Sequence, residues 1–264
     1  MLVVLWRLFK STPEDLEALK RPRPRPQGSA GTGEYAINYF FADSSEQASP
    51  WHHIALQTAS AGDRGVYTFV CEIPRGATAK LEITKELPHN PIKQDTKDGK
   101  LRHYPSPSLV NYGAMPQTWE DPRYAEESTG LTGDNDPLDV VDFGQKACTP
   151  GEVYDVRPIG ALAMVDGGEM DWKVVVVREG GEDSAWQDAS NPSDSQREKL
   201  QRLKEWLRDY KVPDGKPPNE FAFDGKFLGP DVALQVIAEQ HRLWKWLVSV
   251  ERPQDADMWW PKLM

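Results

Sequence analysis

The stretch Gly133-Asp134-Asn135-Asp136-Pro137-Leu138-Asp139 sets three carboxylates within six positions. Carboxylates this close repel one another, so a fold that keeps them together needs a counter-charge. Hard divalent cations such as Mg²⁺ and Ca²⁺ supply it, because they prefer oxygen ligands. Pro137 fixes φ and removes a backbone donor, which predicts a stiff loop. Leu138–Gly144 then reads as a strand ending at a glycine. Asp134 and Asp136 are therefore expected at a strand mouth, with Asp139 just inside. An EF-hand calcium loop does not fit. Counted from Asp134, its fifth, sixth and twelfth positions fall on Leu138, Asp139 and Gln145, where a ligand, Gly and Glu are required. A solvated acidic turn fits the stretch taken alone.

Two acid–base pairs argue for more than a turn. Ala79–Thr84 alternates with period 2, so Leu81 and Ile83 face one way and Lys80 and Glu82 the other. Further on, Gly167-Gly168 after Asp166 marks a hairpin turn. Beyond it Asp171 and Lys173 share one strand face, while Trp172, Val174 and Val176 take the other. One such pair describes a solvated edge. Two of them beside an acid cluster describe a site where ammonium groups meet phosphate and carboxylates meet metal. In the turn-rich run Asn111–Pro122, core packing is the plain reading of Tyr112 and, more so, of Trp119.

Several elements must position these groups. Strands are expected at Glu34–Ala42, Gly65–Cys71 and Pro158–Met164. The last third is helical. Ser195-Gln196-Arg197-Glu198 reads as a capping box, followed by Leu200, Leu203, Trp206 and Leu207 at helical spacing. A second helix opens at Pro230-Asp231, with Leu234, Ile237, Trp244 and Val248 on one stripe. Strands followed by helices predict an α+β domain built on a small closed β-barrel, OB-like, flanked by α-helices. Residues 1–33 differ in character. The Arg-Pro repeats at 21–26 and the following Gln27–Gly31 read as an extended, flexible linker in an N-terminal arm. The main domain is assigned to 34–250 and a short C-terminal tail to 251–264.

Composition narrows the function classes. The chain has 264 residues, 31 Lys+Arg against 41 Asp+Glu, and a net charge of −10. So acidic a surface disfavours nucleic acid and anionic membranes as partners. No apolar run approaches the length of a membrane span. The two cysteines, Cys71 and Cys148, show no paired spacing, which argues for a reducing compartment and against structural zinc. A cytoplasmic location is expected. Basic residues in the arm leave a mitochondrial alternative, which Glu14, Asp15 and Glu17 oppose.

Seven segments now stand in order: EIPR at 72–75, AKLEITKE at 79–86, NPIKQDTKDGKLR at 90–102, NYGAMPQTWEDP at 111–122, GDNDPLDV at 133–140, MVDGGEMDWKV at 164–174 and YKVPDGKP at 210–217. In them the chain resembles soluble family I inorganic pyrophosphatases, most closely the eukaryotic, fungal-type branch. The resemblance implies metal-binding acids at Glu82, Asp134, Asp136, Asp139, Asp166 and Asp171, with Glu72 at the site edge. It implies phosphate-binding groups at Lys80, Arg102, Tyr112, Lys173, Tyr210 and Lys211. Two departures stand out. Only eight residues (HYPSPSLV) separate Arg102 from Asn111, where the family branch has a longer segment carrying a further site tyrosine. Tyr104 is not taken as its replacement. Gly76 follows EIPR where fungal relatives have a tryptophan that helps form the dimer contact. A homodimer, if formed, is expected to be weakened.

The function so implied is Mg²⁺-dependent hydrolysis of pyrophosphate to two phosphates, with several Mg²⁺ ions per site and Asp136 as the base. The rival is a non-catalytic divalent-cation-binding or scaffold protein that keeps the fold. Such a module needs the acids but has no use for Lys80, Arg102, Lys173 and Lys211 beside them. Hydrolysis of another phosphoanhydride such as polyphosphate is a third option.

Overall fold

Runs rich in Val, Ile, Tyr and Phe become strands, as their fit to a pleated, half-buried surface requires. The computed structural model of the protein describes residues 21–57, 65–249 and 258–261. The first strands are β1 (Arg23–Gln27), β2 (Ala36–Phe40), β3 (Gln47–Ala48), β4 (Tyr67–Ile73), β5 (Leu81–Ile83) and β6 (Ile92–Gln94). Then come β7 (Thr96–Lys97), β8 (Lys100–Leu101), β9 (Asn111–Ala114), β10 (Asp139–Asp142), β11 (Val153–Asp166) and β12 (Glu169–Arg178). Helix α1 (Asp194–Asp209), strand β13 (Glu220–Phe221) and helix α2 (Pro230–Leu247) complete the order.

The larger sheet runs β12-β10-β9-β4-β11-β13, and β11 also pairs with β12. Strands β12, β10, β9, β4 and β11 therefore close on themselves, which is the expected small barrel. Within the ring β10–β12 is parallel, while β9–β10, β11–β12, β4–β11 and β4–β9 are antiparallel. A smaller sheet, β1-β2-β6-β5 with β3 on β2, lies beside it. The run Val174–Val177 has no alternation because both faces of β12 are covered. Val175 and Val177 pack with Ile159, Leu162 and the α1 residues Leu200, Leu203 and Leu207. Val174 and Val176 pack with Val140 and the α2 residues Ala233, Val236 and Ile237. Each such side chain, fully buried, is worth about 1.5–3 kcal/mol over exposure.

Three expectations need correction. The Arg-Pro segment is extended but is no flexible linker. Arg23–Gln27 pairs residue for residue with Ala36–Phe40, from Arg23 opposite Phe40 to Gln27 opposite Ala36. Its prolines are tolerated because β1 is an edge strand. The rest of the arm, residues 1–20, lies outside the described residues. Secondly, the capping box of α1 is Ser193 with Gln196 rather than Ser195 with Glu198, and the Ser193 N–H donates to Gln196 Oε1 at 2.8 Å. Thirdly, Cys71 and Cys148 form a disulfide, their Cα atoms 6.8 Å apart across 77 residues of sequence. The barrel creates this pair. Cys71 N–H donates to Glu152 O at 2.9 Å and Gly151 N–H to Cys71 O at 2.7 Å, so the turn after β10 lies along β4. The cysteine argument for a reducing compartment therefore falls. Among the described residues no helix is long and apolar enough to cross a membrane.

Candidate active site

The acidic loop is held from behind by Glu120. The Glu120 N–H donates to Asp136 O at 2.9 Å and the Asn135 N–H to Glu120 O at 2.9 Å. A Cβ on Gly133 would stand 2.4 Å from the Glu120 carbonyl carbon, so only glycine permits this approach. Asn135 takes the left-handed conformation at φ 72°, which asparagine tolerates. Its Oδ1 accepts the Trp119 indole N–H at 3.0 Å. Trp119 is thus core, at 1% exposure, and also the anchor of the loop. Within the loop the Asp136 N–H donates to Asp134 Oδ1 at 3.0 Å, an Asx-type turn.

Strand register brings the remaining groups to this loop. Parallel pairing of β10 with β12 sets Asp139 opposite Lys173. Lys173 Nζ donates to both Asp139 Oδ2 and Asp171 Oδ1. Tyr112 comes from β9, and its hydroxyl donates to Asp139 Oδ2 at 2.5 Å. The β11–β12 hairpin turns at Gly167 and Gly168, both at positive φ (64° and 96°), with Asp166 opposite Glu169. Asp166 there accepts from Tyr210 Oη at 2.9 Å and Lys211 Nζ at 2.5 Å, both delivered by the end of α1. The smaller sheet supplies Lys80, paired with Glu82 at 2.6 Å and with Asp95 at 2.9 Å. Asp95 also takes Arg102 at 2.5 Å. Glu72, on β4, accepts the Ile83 N–H at 2.6 Å and so ties the two sheets together.

These groups line one cavity of about 440 Å³. Its wall includes every acid and every phosphate ligand expected from the sequence: Glu72, Lys80, Glu82, Arg102, Tyr112, Asp134, Asp136, Asp139, Asp166, Asp171, Lys173, Tyr210 and Lys211. Burial raises the proton affinity of Glu72, Glu82, Asp134 and Asp171. The Glu72 carboxyl is pushed well up by burial and by Asp139. That of Asp134 rises through burial and the nearby Asp171. Asp171 is pushed to about 7 by burial and Asp139, against the opposing pull of Lys173. Lys173 moves the other way to its burial, since Asp139 and Asp171 hold it protonated. Asp166 lies below the usual carboxylate range because Lys211 and Tyr210 outweigh its burial. The site is thus an all-oxygen acid wall interleaved with ammonium groups, a donor set that suits hard divalent cations.

Sequence reasoning missed several residues. Lys85 sits within AKLEITKE and reaches Asp136 at 2.7 Å. Asp95 pairs with Lys80 and Arg102, a link that only the fold reveals. Glu120, Asp134 and Asp171 bring ligand oxygens within 4.8 Å of one another. Tyr104 also lines the cavity, its ring 4.8 Å from Trp206 and 5.4 Å from Tyr210. The short 103–110 segment is pinned by Tyr104 N–H to Thr78 O at 2.7 Å and Ser108 N–H to Ala77 O at 2.8 Å. Arg102 and Tyr112, at its two ends, both stay on the cavity wall.

Comparison with known proteins gives consistent matches. A family model described as inorganic pyrophosphatase matches residues 69–245. Soluble inorganic pyrophosphatase 1, chloroplastic, of Chlamydomonas reinhardtii is 43% identical over 233 residues, covering 88% of this chain and 81% of that protein. The Homo sapiens inorganic pyrophosphatase is 43% identical over 222 residues, covering 82% and 75%. Among solved structures, an N-terminally truncated Trypanosoma cruzi vacuolar soluble pyrophosphatase in complex with PPi superposes with a TM-score of 0.79. It shares 36% identity and covers 86% of this chain and 91% of that one.

Proposed function

The chain belongs to the inorganic pyrophosphatase family and is a diphosphatase that hydrolyses pyrophosphate, and we propose that it does so in this cavity with several Mg²⁺ ions. The observation that carries the reading is the pairing of acids with bases around one cavity. Lys173 sits on Asp139 and Asp171, Lys211 on Asp166, and Lys80 on Glu82. A cation-binding scaffold needs only the acids. A site for a highly anionic substrate needs both sets.

Asp134, Asp136, Asp139 and Asp171 would hold the cations, with Glu82 and Asp166 on the flanks and Glu72 at the edge. Bound there, such ions neutralise substrate charge and lower the pKa of a coordinated water toward neutrality. Asp136 would take the proton of the attacking water. Its side chain is 47% exposed, and among the described residues its one ion pair is with Lys85. Lys80, Lys173 and Tyr112 turn from their carboxylate partners to the oxygens of the attacked phosphoryl group. Arg102, Tyr210 and Lys211 hold the leaving phosphate as charge develops on it. The water oxygen bonds to phosphorus, the bridging P–O bond breaks, and the electron pair leaves with the second phosphate. The test is phosphate release from pyrophosphate with and without Mg²⁺. Release that stops with excess chelator is expected. Undiminished release without any divalent metal would overturn the metal reading.

A further inference from the structure

Glu120 lies outside the thirteen residues assigned above, and its environment is unusual for a structural acid. It is 1% exposed, and it stands behind the cavity wall rather than on it. Its Oε1 accepts the Trp172 N–H at 3.0 Å. Its Oε2 is buried and has no hydrogen-bond partner among the described residues. A buried carboxylate oxygen left without a donor is costly, because desolvation is not offset. Three ligand oxygens, one each from Glu120, Asp134 and Asp171, fall within 4.8 Å of one another. Opposed oxygens around one ion are about 4.0–4.2 Å apart for Mg²⁺ and about 4.6–5.2 Å for Ca²⁺, twice the usual bond length. The cluster is therefore of a size that one hard divalent cation spans with little side-chain movement. Asp134 and Asp171 line the cavity and give the ion its way in.

We propose that Glu120 is a ligand in its own right, closing with Asp134 and Asp171 a divalent-cation position at the back of the site. The proposal rests on the reading of Asp134 and Asp171 as cation ligands. Glu120 then has two tasks, one for each oxygen. Oε1 fixes the side chain against β12 through Trp172, and Oε2 faces the ion. Its backbone already holds the loop that carries Asp134 and Asp136, so the ligands of one ion share a single support.

The test is Mn²⁺ binding to the full chain, read by equilibrium titration and by electron paramagnetic resonance, for the native protein, Glu120→Gln and Asp171→Asn. Glutamine keeps an acceptor for the Trp172 N–H and replaces the ion-facing oxygen by an NH₂ group. A purely structural Glu120 would therefore leave the isotherm unchanged. Loss of one Mn²⁺ site, or weakening of it by about tenfold or more, is expected for Glu120→Gln, the range seen when a metal's supporting groups are removed. An unchanged isotherm for Glu120→Gln beside an altered one for Asp171→Asn would overturn the role of Glu120 alone. Unchanged isotherms for both variants would overturn the cation site together with the role of Glu120. Should Glu120→Gln fail to fold, Glu120→Asp is read in the same way, since it keeps the charge and draws the oxygen back by one methylene. Native binding by Glu120→Asp would count against the proposal.

Discussion

Lowering the pH should loosen the protein at a point remote from the carboxylates, through His52. The ring is 2% exposed and stacks on Trp51 with centroids 4.5 Å apart. The Trp244 indole N–H donates to Nδ1 at 2.9 Å, and Nε2 faces Trp259 O at 3.2 Å. Nδ1 is thus the acceptor and Nε2–H the donor, so the neutral tautomer satisfies both contacts. A second proton would set a donor against the Trp244 N–H. Burial and the neighbouring His53 accordingly lower the His52 pKa from 6.5 to about 3, against the pull of the Trp259 carbonyl. The unfolded chain binds this proton below about pH 6.5, while the folded chain refuses it down to about 3. Stability from this group is full above 6.5 and is lost progressively as the pH falls toward 3. At pH 5 the loss is roughly 1.5 × 1.36, or about 2 kcal/mol. That corresponds to about 4–8 °C in Tm for a chain of this size. The assay is metal-free urea and thermal unfolding at pH 7 and pH 5, comparing the native protein with His52→Asn. Asparagine keeps an acceptor for Trp244 and does not titrate. His53, lowered to about 4 chiefly by burial, affects both proteins alike, so the difference isolates His52. An equal pH dependence in the two proteins refutes the reasoning.

Other outcomes follow from the site and the surface. Asp136→Asn keeps the shape of the loop but removes the base, and a rate loss of about 10²–10⁴-fold is expected; near-normal turnover in a folded variant would exclude Asp136 as the base. Tyr104→Phe leaves the ring against Trp206 and removes one hydroxyl from the cavity. One neutral hydrogen bond is worth about 0.5–1.5 kcal/mol, so steady-state kinetics should show a loss of about tenfold or less, and a loss of several orders of magnitude would contradict this. Gly76 is exposed, and a Cβ there would meet nothing within 4 Å among the described residues. Without an aromatic anchor at that point a dimer should be weak, and sedimentation across a dilution series that shows an undissociating dimer would refute this.

Local rules made much of the site legible. Period 2 placed Lys80 with Glu82 and Asp171 with Lys173, because side chains two apart on a strand share a face. Pro137 and the acid spacing marked the loop. What remained hidden depends on which strands become neighbours. Asp139 meets Lys173 through a parallel pairing between segments more than thirty residues apart. The Cys71–Cys148 bond and the Asp95 pairs arise in the same way. Glu120 was hidden for another reason. It sits in a turn-rich run beside a tryptophan, and nothing in its spacing distinguishes it from a surface acid. Its burial and its orphaned oxygen are tertiary facts. The edge strand Arg23–Gln27 was misread because proline-rich composition describes the isolated chain, whereas pairing with Ala36–Phe40 decides its state in the fold.

Lys80, Lys173 and Lys211 are each paired with an acid of the cavity wall, and this has a thermodynamic consequence. Lys173, with a side chain 2% exposed, cannot turn to water when Asp139 and Asp171 take up a cation. Cation binding alone would strand it as an unpaired buried charge, and substrate binding alone would strand the two carboxylates. Each ligand relieves the penalty created by the other. Mg²⁺ and a phosphate-bearing ligand should therefore bind with positive heterotropic coupling, and linkage requires that coupling to be equal in both directions. Mg²⁺ affinity measured in saturating phosphate should exceed that in its absence by the same factor as phosphate affinity measured with and without Mg²⁺.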